Sequence, residues 1–333
     1  MLRVPFAEMK RVFRGILLRY GFAADRADQC AQLFAENSLD GVYSHGVNRF
    51  QKFIEQIKKG YIDAQAFPEK VMSANAFEQW NGNLGPGPLN AMFCTDRVVE
   101  LAETHSIGCV ALANTNHWMR GGAYGWRAAR AGFAFIAWTN TLPNLPAWGA
   151  KDCHLGNNPL VMAVPRSNSG VVLDMAMSQF SYGKMEMFAR KKEDLPVPGG
   201  FDMKGRITKD AGEILDSWRP LPIGYWKGAG LSLLLDLMAA VLTGGLATFQ
   251  IGALGDEYNV SQIFMAFDIS KCSHAESIMR IVDNLLDDYK KSTPVSDTAD
   301  IVFPGERVLR IRRENEQKGI PVDPTIWQNI SRL

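Results

Sequence analysis

The chain has 333 residues, more than one hydrophobic core usually serves, so two structural units, interleaved in sequence or not, are expected. Apolar residues at 47% and charged residues at 21% exclude a disordered, fibrous or coiled-coil chain. With 36 basic against 35 acidic side chains, a net charge of +1 and no long basic run, nucleic acid is not an expected partner.

Phe6, Met9, Val12, Phe13, Ile16, Leu17 and Tyr20 recur at helical spacing, and Gly21 supplies a C-terminal stop. A second helix is expected from about Asp25 to Asn37, burying Cys30, Leu33 and Phe34. A third runs from about Val47 to Lys59, with Phe50, Ile54 and Ile57 inward and Gly60 closing it. From Val71 the character changes. Gly82, Gly85, Pro86, Gly87 and Pro88 form a turn, and Pro88 suits the start of a helix reaching His105.

Apolar runs of strand length follow at Cys109–Ala113, Phe133–Trp138, Leu160–Val164, Val171–Met175 and Ile263–Ile269. Helices separate some of them, so the middle of the chain reads as mixed α/β. The polar stretch from about Lys191 to Pro222, rich in Gly and Pro, reads as a long surface excursion or lid. The apolar run Leu231–Leu242 contains Asp236 and is shorter than the roughly 20 residues of a bilayer span, so it reads as a buried helix. Ile278, Ile281, Val282, Leu285 and Leu286 then mark one helix face, and a Pro304-Gly305 turn precedes two short helices that can return to the first three.

Cys30, Cys94, Cys109, Cys153 and Cys272 are odd in number and contain no CxxC pair, so reduced and mostly buried thiols are expected, not disulfides or a zinc site. Cys153-His154 lacks companion ligands at metal spacing, and no metal is expected. The first residues lack the apolar stretch of a signal peptide, which makes the expected location cytoplasmic, with no membrane partner. GxGxxG fails because Asn90 stands at the third position after Gly85-Pro86-Gly87; Walker A, GxSxG and HExxH patterns are missing too. A dinucleotide would need a fold other than the Rossmann one.

The most informative stretch is Gly41-Val-Tyr-Ser44-His45-Gly46-Val-Asn48-Arg49-Phe50, where Ser44 is a candidate N-cap of the third helix. A helix start favours a carboxylate, a guanidinium at Arg49 can clasp one through two parallel bonds, and the imidazole of His45 exchanges a proton near neutral pH. That equipment suits reduction of a 2-keto acid. The same residues equally describe a capping serine, a solvent-facing histidine and a surface arginine. Asn114-Thr-Asn116-His117-Trp118-Met119-Arg120-Gly121-Gly122 follows a strand and leads into a helix; Trp118 offers a stacking face, and a structural histidine is the plain alternative. Lys227, at a glycine-flanked helix start, could neutralise a pyrophosphate, although glycines there also serve tight packing.

Four strings, Gly41-Val-Tyr-Ser-His-Gly-Val-Asn-Arg-Phe50, Asn116-His-Trp-Met-Arg-Gly-Gly122, Phe180-Ser-Tyr-Gly183 and Gly224-Tyr-Trp-Lys-Gly228, make nearly the whole chain similar to the type 2 malate/L-lactate dehydrogenase family. The resemblance implies an α/β (α+β) non-Rossmann NAD(P)-binding fold with a mostly antiparallel sheet, and a helical domain built from both ends, 1–70 with about 307–333. Residues 71–306 are then the cofactor-binding domain, with the excursion at about 191–222. It implies His45 as proton donor and Arg49 and His117 as substrate-binding residues. It implies that Gly170, Val171, Val172, Leu173, Asp174, Met175, Ala176, Trp226, Lys227, Gly305, Glu306 and Arg307 line the dinucleotide. NADH, with NADPH as alternative, and a homodimer are the implied cofactor and assembly. Many relatives carry Gly-Thr-Asn-Pro where this chain has Gly156-Asn157-Asn158-Pro159. Substrates in view are a small sugar acid, a malate- or lactate-type 2-keto acid, or a cyclic imino acid; the non-enzyme rival is a sugar-acid binding protein.

Overall fold

Apolar residues on one stripe force the first helices together. The computed structural model describes residues 2–167, 169–297 and 299–333. β1 (Leu2–Val4) leads into α1 (Phe6–Arg19), α2 (Ala24–Leu39) and, after a single 3-10 turn at Tyr43–His45, α3 (Val47–Lys58). Phe13 stacks on Phe50 with ring centroids 4.1 Å apart, and Phe34 meets Phe50 edge-on at 5.1 Å. Offset and edge-to-face contacts of this kind add about 0.5–1.5 kcal/mol beyond area burial.

β2 (Glu69–Ala74) and β3 (Phe77–Asn81) pair as a hairpin, and α4 (Gly87–His105) connects to β4 (Ile107–Thr115). Next come α5 (Gly122–Arg130), β5 (Phe133–Thr139), the short pair β6 (Leu145–Pro146) and β7 (Cys153–Leu155), then β8 (Leu160–Arg166) and β9 (Ser169–Met175). α6 (Tyr182–Lys191), the hairpin of β10 (Gly200–Phe201) and β11 (Ile207–Thr208), and α7 (Ala211–Ser217) form the excursion. α8 (Trp226–Thr243), α9 (Thr248–Ala253), β12 (Val260–Asp268), α10 (Ile278–Lys290), α11 (Glu306–Lys318), β13 (Ile320–Val322) and α12 (Pro324–Ser331) complete the chain.

The main sheet has the order β2-β3-β4-β12-β5-β8-β9. Every neighbouring pair in it is antiparallel except β3 with β4. Successive strand residues point to opposite faces, so β4 sends Val110 and Leu112 to one core with Phe264 of β12, and Ala111 to the other with Ile263. α4 and α5 cover the first face; Leu235 and Ala239 of α8 cover part of the second. With both faces backed, these strands carry the continuous apolar runs visible in the sequence.

Several details depart from the sequence reading. β2 and β3 are additional strands: β2 is polar and largely exposed at the sheet edge, and β3, half-buried, lies between it and β4. The excursion reaches back to Ser178, which bridges to Pro222, and closes its own small core of Phe180, Met185, Leu195, Ala211 and Ile214. α8 is not a buried helix: Leu233, Leu234, Leu237, Met238 and Val241 are exposed, the last by 75%. It is long and apolar enough to cross a membrane by length and composition alone, yet Asp236 accepts from Asn140 Nδ2 and Thr248 N–H at 3.0 Å each, which pins its inner face to the protein. α10 likewise buries none of its residues fully.

At the other end, β13 pairs antiparallel with β1, matching Leu2 to Val322 and Val4 to Ile320. Ile320, Val322 and Ile330 enter the same core as Phe13, Phe34 and Phe50.

Candidate active site

His45 ends the 3-10 turn between α2 and α3. Gly46, with φ −118° and ψ −120°, breaks the backbone there, and Gly46, not Ser44, is the N-cap of α3. A Cβ at position 46 would lie 2.2 Å from Ser38 Oγ, so only glycine lets the turn press against α2. Ser38 Oγ in turn accepts the Val47 N–H at 2.8 Å, the capping bond that Ser44 was expected to make. Asn37 Nδ2 donates to the His45 carbonyl at 3.0 Å. Ser44 Oγ instead bonds His45 Nδ1 at 2.9 Å.

His117 lies in the loop between β4 and α5, and its ring stands 5.7 Å from that of His45 with planes 21° apart. Both are half-buried. The loop is held by Asn116 Nδ2, which donates to the carbonyls of Tyr61, Leu84 and Gly85 at 3.0, 2.8 and 3.1 Å. Gln262 Nε2 donates to the Asn116 carbonyl from β12 at 3.1 Å. Met119, at φ +64°, sits in the left-handed region and sends its N–H to His117 Nδ1 at 2.9 Å. Trp118 is part of the core against Tyr124 and Phe264, and offers no stacking face to a ligand.

Arg49, in the first turn of α3, pairs with Glu257 at 4.0 Å. Burial lowers the His45 imidazole to about 4, with Arg49 and then Arg120 adding to the shift. Burial also drives His117 well down, helped by Arg49, His45 and Lys52. Arg49, Lys52 and Arg120 outnumber the two buried carboxylates close by, Glu257 and Asp40, which makes this a site for an anion.

Sequence reasoning missed two carboxylates of this cluster. Glu257, on the loop before β12, is tied to α3 by Gln56 Nε2 donating to its carbonyl at 3.1 Å. Asp40 is the C-cap of α2 and holds two guanidinium groups, Arg120 beside His117 and Arg312 of α11, the latter at 2.9 Å. Arg120 lay inside a singled-out string; nothing in the local pattern points to Glu257 or Asp40.

The residues expected to line a dinucleotide gather along the edge strand β9. Asp174 Oδ2 accepts the Gly122 N–H at 2.8 Å, joining β9 to the His117 loop. Val172 N–H donates to Pro304 O at 3.2 Å, and Gly305, at φ +93°, packs so closely that a Cβ would lie 2.9 Å from Trp126. Ile223 N–H donates to Met177 O at 2.8 Å, which sets Trp226 and Lys227, both exposed, just beyond the end of β9. The Glu306 carboxylate is engaged by Lys290 Nζ at 2.6 Å and Phe303 N–H at 3.1 Å; Arg307 is exposed. From the excursion, Gly183 comes so near Ser44 that a Cβ would lie 2.9 Å from the serine Cβ. At the departing string, Asn157 and Asn144 exchange bonds of 2.7 and 3.1 Å, and Asn158 Nδ2 donates to Ser232 O at 2.9 Å.

Among the described residues Lys227 has no ion pair, and Asp174 Oδ1 accepts no hydrogen bond. An unpaired cation at the start of α8 and an open carboxylate oxygen on β9 fit a group that brings phosphate charge together with hydroxyl or amide donors.

Comparisons with known proteins show the family. The malate/L-lactate dehydrogenase family model matches residues 4–331. Proteins named 2,3-diketo-L-gulonate reductase from Citrobacter koseri and Klebsiella pneumoniae are each 43% identical over 333 residues, covering 100% of both chains. The sulfolactate dehydrogenase of Methanocaldococcus jannaschii is 27% identical and superposes with a TM-score of 0.90, over 99% of this chain and 95% of that one. The chain belongs to the malate/L-lactate dehydrogenase family and is a nicotinamide-dependent oxidoreductase.

Proposed function

We propose that the enzyme reduces 2,3-diketo-L-gulonate at C2 to 3-dehydro-L-gulonate, with His45 as the proton donor. The observation that carries this reading is the pair of imidazoles 5.7 Å apart beside Arg49, on a chain 43% identical throughout to proteins of that name. Arg49 clasps the substrate carboxylate, and Glu257 holds the guanidinium in place before substrate arrives. His45 delivers a proton to O2, and Ser44 Oγ, bonded to Nδ1, fixes the ring so that Nε2 faces the reacting oxygen. A bound reduced nicotinamide supplies the hydride for C2. Gly170, Val171, Val172, Leu173, Asp174, Met175, Ala176, Trp226, Lys227, Gly305, Glu306 and Arg307 hold that dinucleotide, with Asp174 Oδ1 accepting from it and Lys227 facing its phosphate charge.

We take NADH as the reductant. The helical unit, residues 1–70 with 307–333, brings the acid chemistry, and 71–306 brings the cofactor. The exposed face of α8 joins two copies as a homodimer. Five free thiols suit a reducing compartment, the cytoplasm.

The test is loss of reduced-nicotinamide absorbance with purified protein, NADH or NADPH, and a panel holding 2,3-diketo-L-gulonate, oxaloacetate, pyruvate and Δ1-piperideine-2-carboxylate. The diketo acid is expected to show the highest kcat/KM with NADH. His45→Ala should lower kcat by about a hundredfold or more. A higher kcat/KM on another acid reassigns the substrate, and turnover untouched by His45→Ala removes the histidine from its role.

A further inference from the structure

Resting on the 2-keto acid reduction above, we propose that His117 is a fixed, neutral Nε2–H donor that binds the C3 carbonyl oxygen and so selects vicinal dicarbonyl acids.

The tautomer follows from one contact. The Met119 N–H can only donate, so the His117 Nδ1 that receives it at 2.9 Å must present a lone pair. The single hydrogen of the neutral ring is then on Nε2. Nothing comparable fixes His45, whose Nδ1 meets a serine hydroxyl able to give or take a proton. Among the described residues the His117 ring makes its one hydrogen bond through Nδ1, which leaves the Nε2 donor open to a ligand.

Protonating His117 would place an N–H against the Met119 N–H and a positive charge beside His45, Arg49 and Lys52, with Glu257 as the acidic neighbour already committed to Arg49. The ring therefore stays neutral. Its Nε2–H is no proton to spend either, because losing it leaves an imidazolate. His117 holds an oxygen through the reaction and does not titrate.

Two near-parallel imidazoles 5.7 Å apart suit two oxygens on adjacent carbons. In the step, hydride forms the new C–H bond at C2, the π pair of that carbonyl becomes the O–H bond with the proton from His45, and C3 keeps its double bond under the His117 donor. An acid with a methylene at C3 leaves that donor unpaired in a half-buried site, and such a vacancy is a strong basis for discrimination. The loop bonds from Asn116 and Gln262 keep the donor from swinging toward another partner.

The test compares 2,3-diketo-L-gulonate with 2-keto-3-deoxygluconate, which carries a methylene at C3, in the wild-type enzyme, His117→Ala and His117→Gln. His117→Ala should lose about ten- to a hundredfold in kcat/KM on the diketo acid and less than about threefold on the deoxy acid. His117→Gln, with its neutral N–H donors, should recover part of the loss and leave the pH profile unmoved. Long-range proton–nitrogen correlations of the folded wild-type protein should show His117 as the Nε2–H tautomer throughout the neutral range. Equal losses on both acids, a shifted acid limb in His117→Gln, or an Nδ1–H ring overturns the proposal. Absence of turnover with any 2-keto acid in the wild-type enzyme instead removes the reading on which it rests, and the proposal with it.

Discussion

A buried imidazole flanked by guanidinium groups holds a proton poorly, and His45 at about 4 is the case in point. In the proposed reaction an anionic substrate on Arg49 would offset that cation, so the proton required for the alkoxide would become easier to carry once the carboxylate is seated. The resting shift also has a consequence for stability. The folded value lies below the 6.5 of the unfolded chain, so the unfolded state binds more protons between the two. The stabilisation is therefore complete above pH 6.5 and is lost as pH falls toward about 4. In denaturant melts, His45→Gln is expected to remove part of the acid-side slope of the wild type, at most about 3 kcal/mol across that window. An unchanged slope means that the ring is solvated in the folded enzyme.

On the scale of elements, the joint between α2 and α3 carries the site. Ser38 spends its hydroxyl on Val47 N–H, and Gly46 leaves room for it. Gly46→Ala should push the 3-10 turn off α2, with a stability loss of about 1–3 kcal/mol and a fall in kcat that exceeds what the lost folded fraction explains. Thermal melts read beside activity at saturating substrate check both parts. Helices α1 to α4 and strands β4, β5, β8, β9 and β12 were legible because each has a periodic apolar face or a run covered on both sides. β2 and β3 were not, since an edge strand such as Glu69–Ala74 is kept polar and looks like a loop. Ser44 fits the capping pattern, yet a hydroxyl nine residues earlier than Val47 does the work. Of the site, the histidines and Arg49 stood in recognisable strings, whereas Glu257 reaches Arg49 across more than 200 residues, a distance that local spacing does not encode.

Across the whole molecule, Asp40 is where three regions meet. Its carboxylate takes Arg120 from the His117 loop and Arg312 from α11. Asp40→Asn leaves two guanidinium groups facing each other with one charge missing and should cost roughly 3 kcal/mol in chemical denaturation. A loss within error of zero means that water replaces the carboxylate. α8 shows what composition hides: its apolar character was plain, but which of its sides meets the protein was not, and Leu233, Leu234, Leu237, Met238 and Val241 face outward. If this face joins two copies, as proposed, Leu237→Asp, at a site 49% exposed, should convert the dimer to monomer in sedimentation velocity while leaving the isolated fold intact. A wild-type chain that sediments as a monomer ends that assignment.

The pairing of β1 with β13 sets an order of events during synthesis. α1, α2 and α3, carrying His45, are synthesised before the sheet, whereas Ile320, Val322 and Ile330, which finish their core, are synthesised after it. Nascent chains tend to fold from the front. Here α1 to α3 must wait with Phe13 and Phe50 incompletely covered while the sheet is translated, and Trp327, 6.4 Å from Phe13, follows it. The core beneath His45 thus closes only after the sheet is made, and the interval before that is when these helices most need a chaperone.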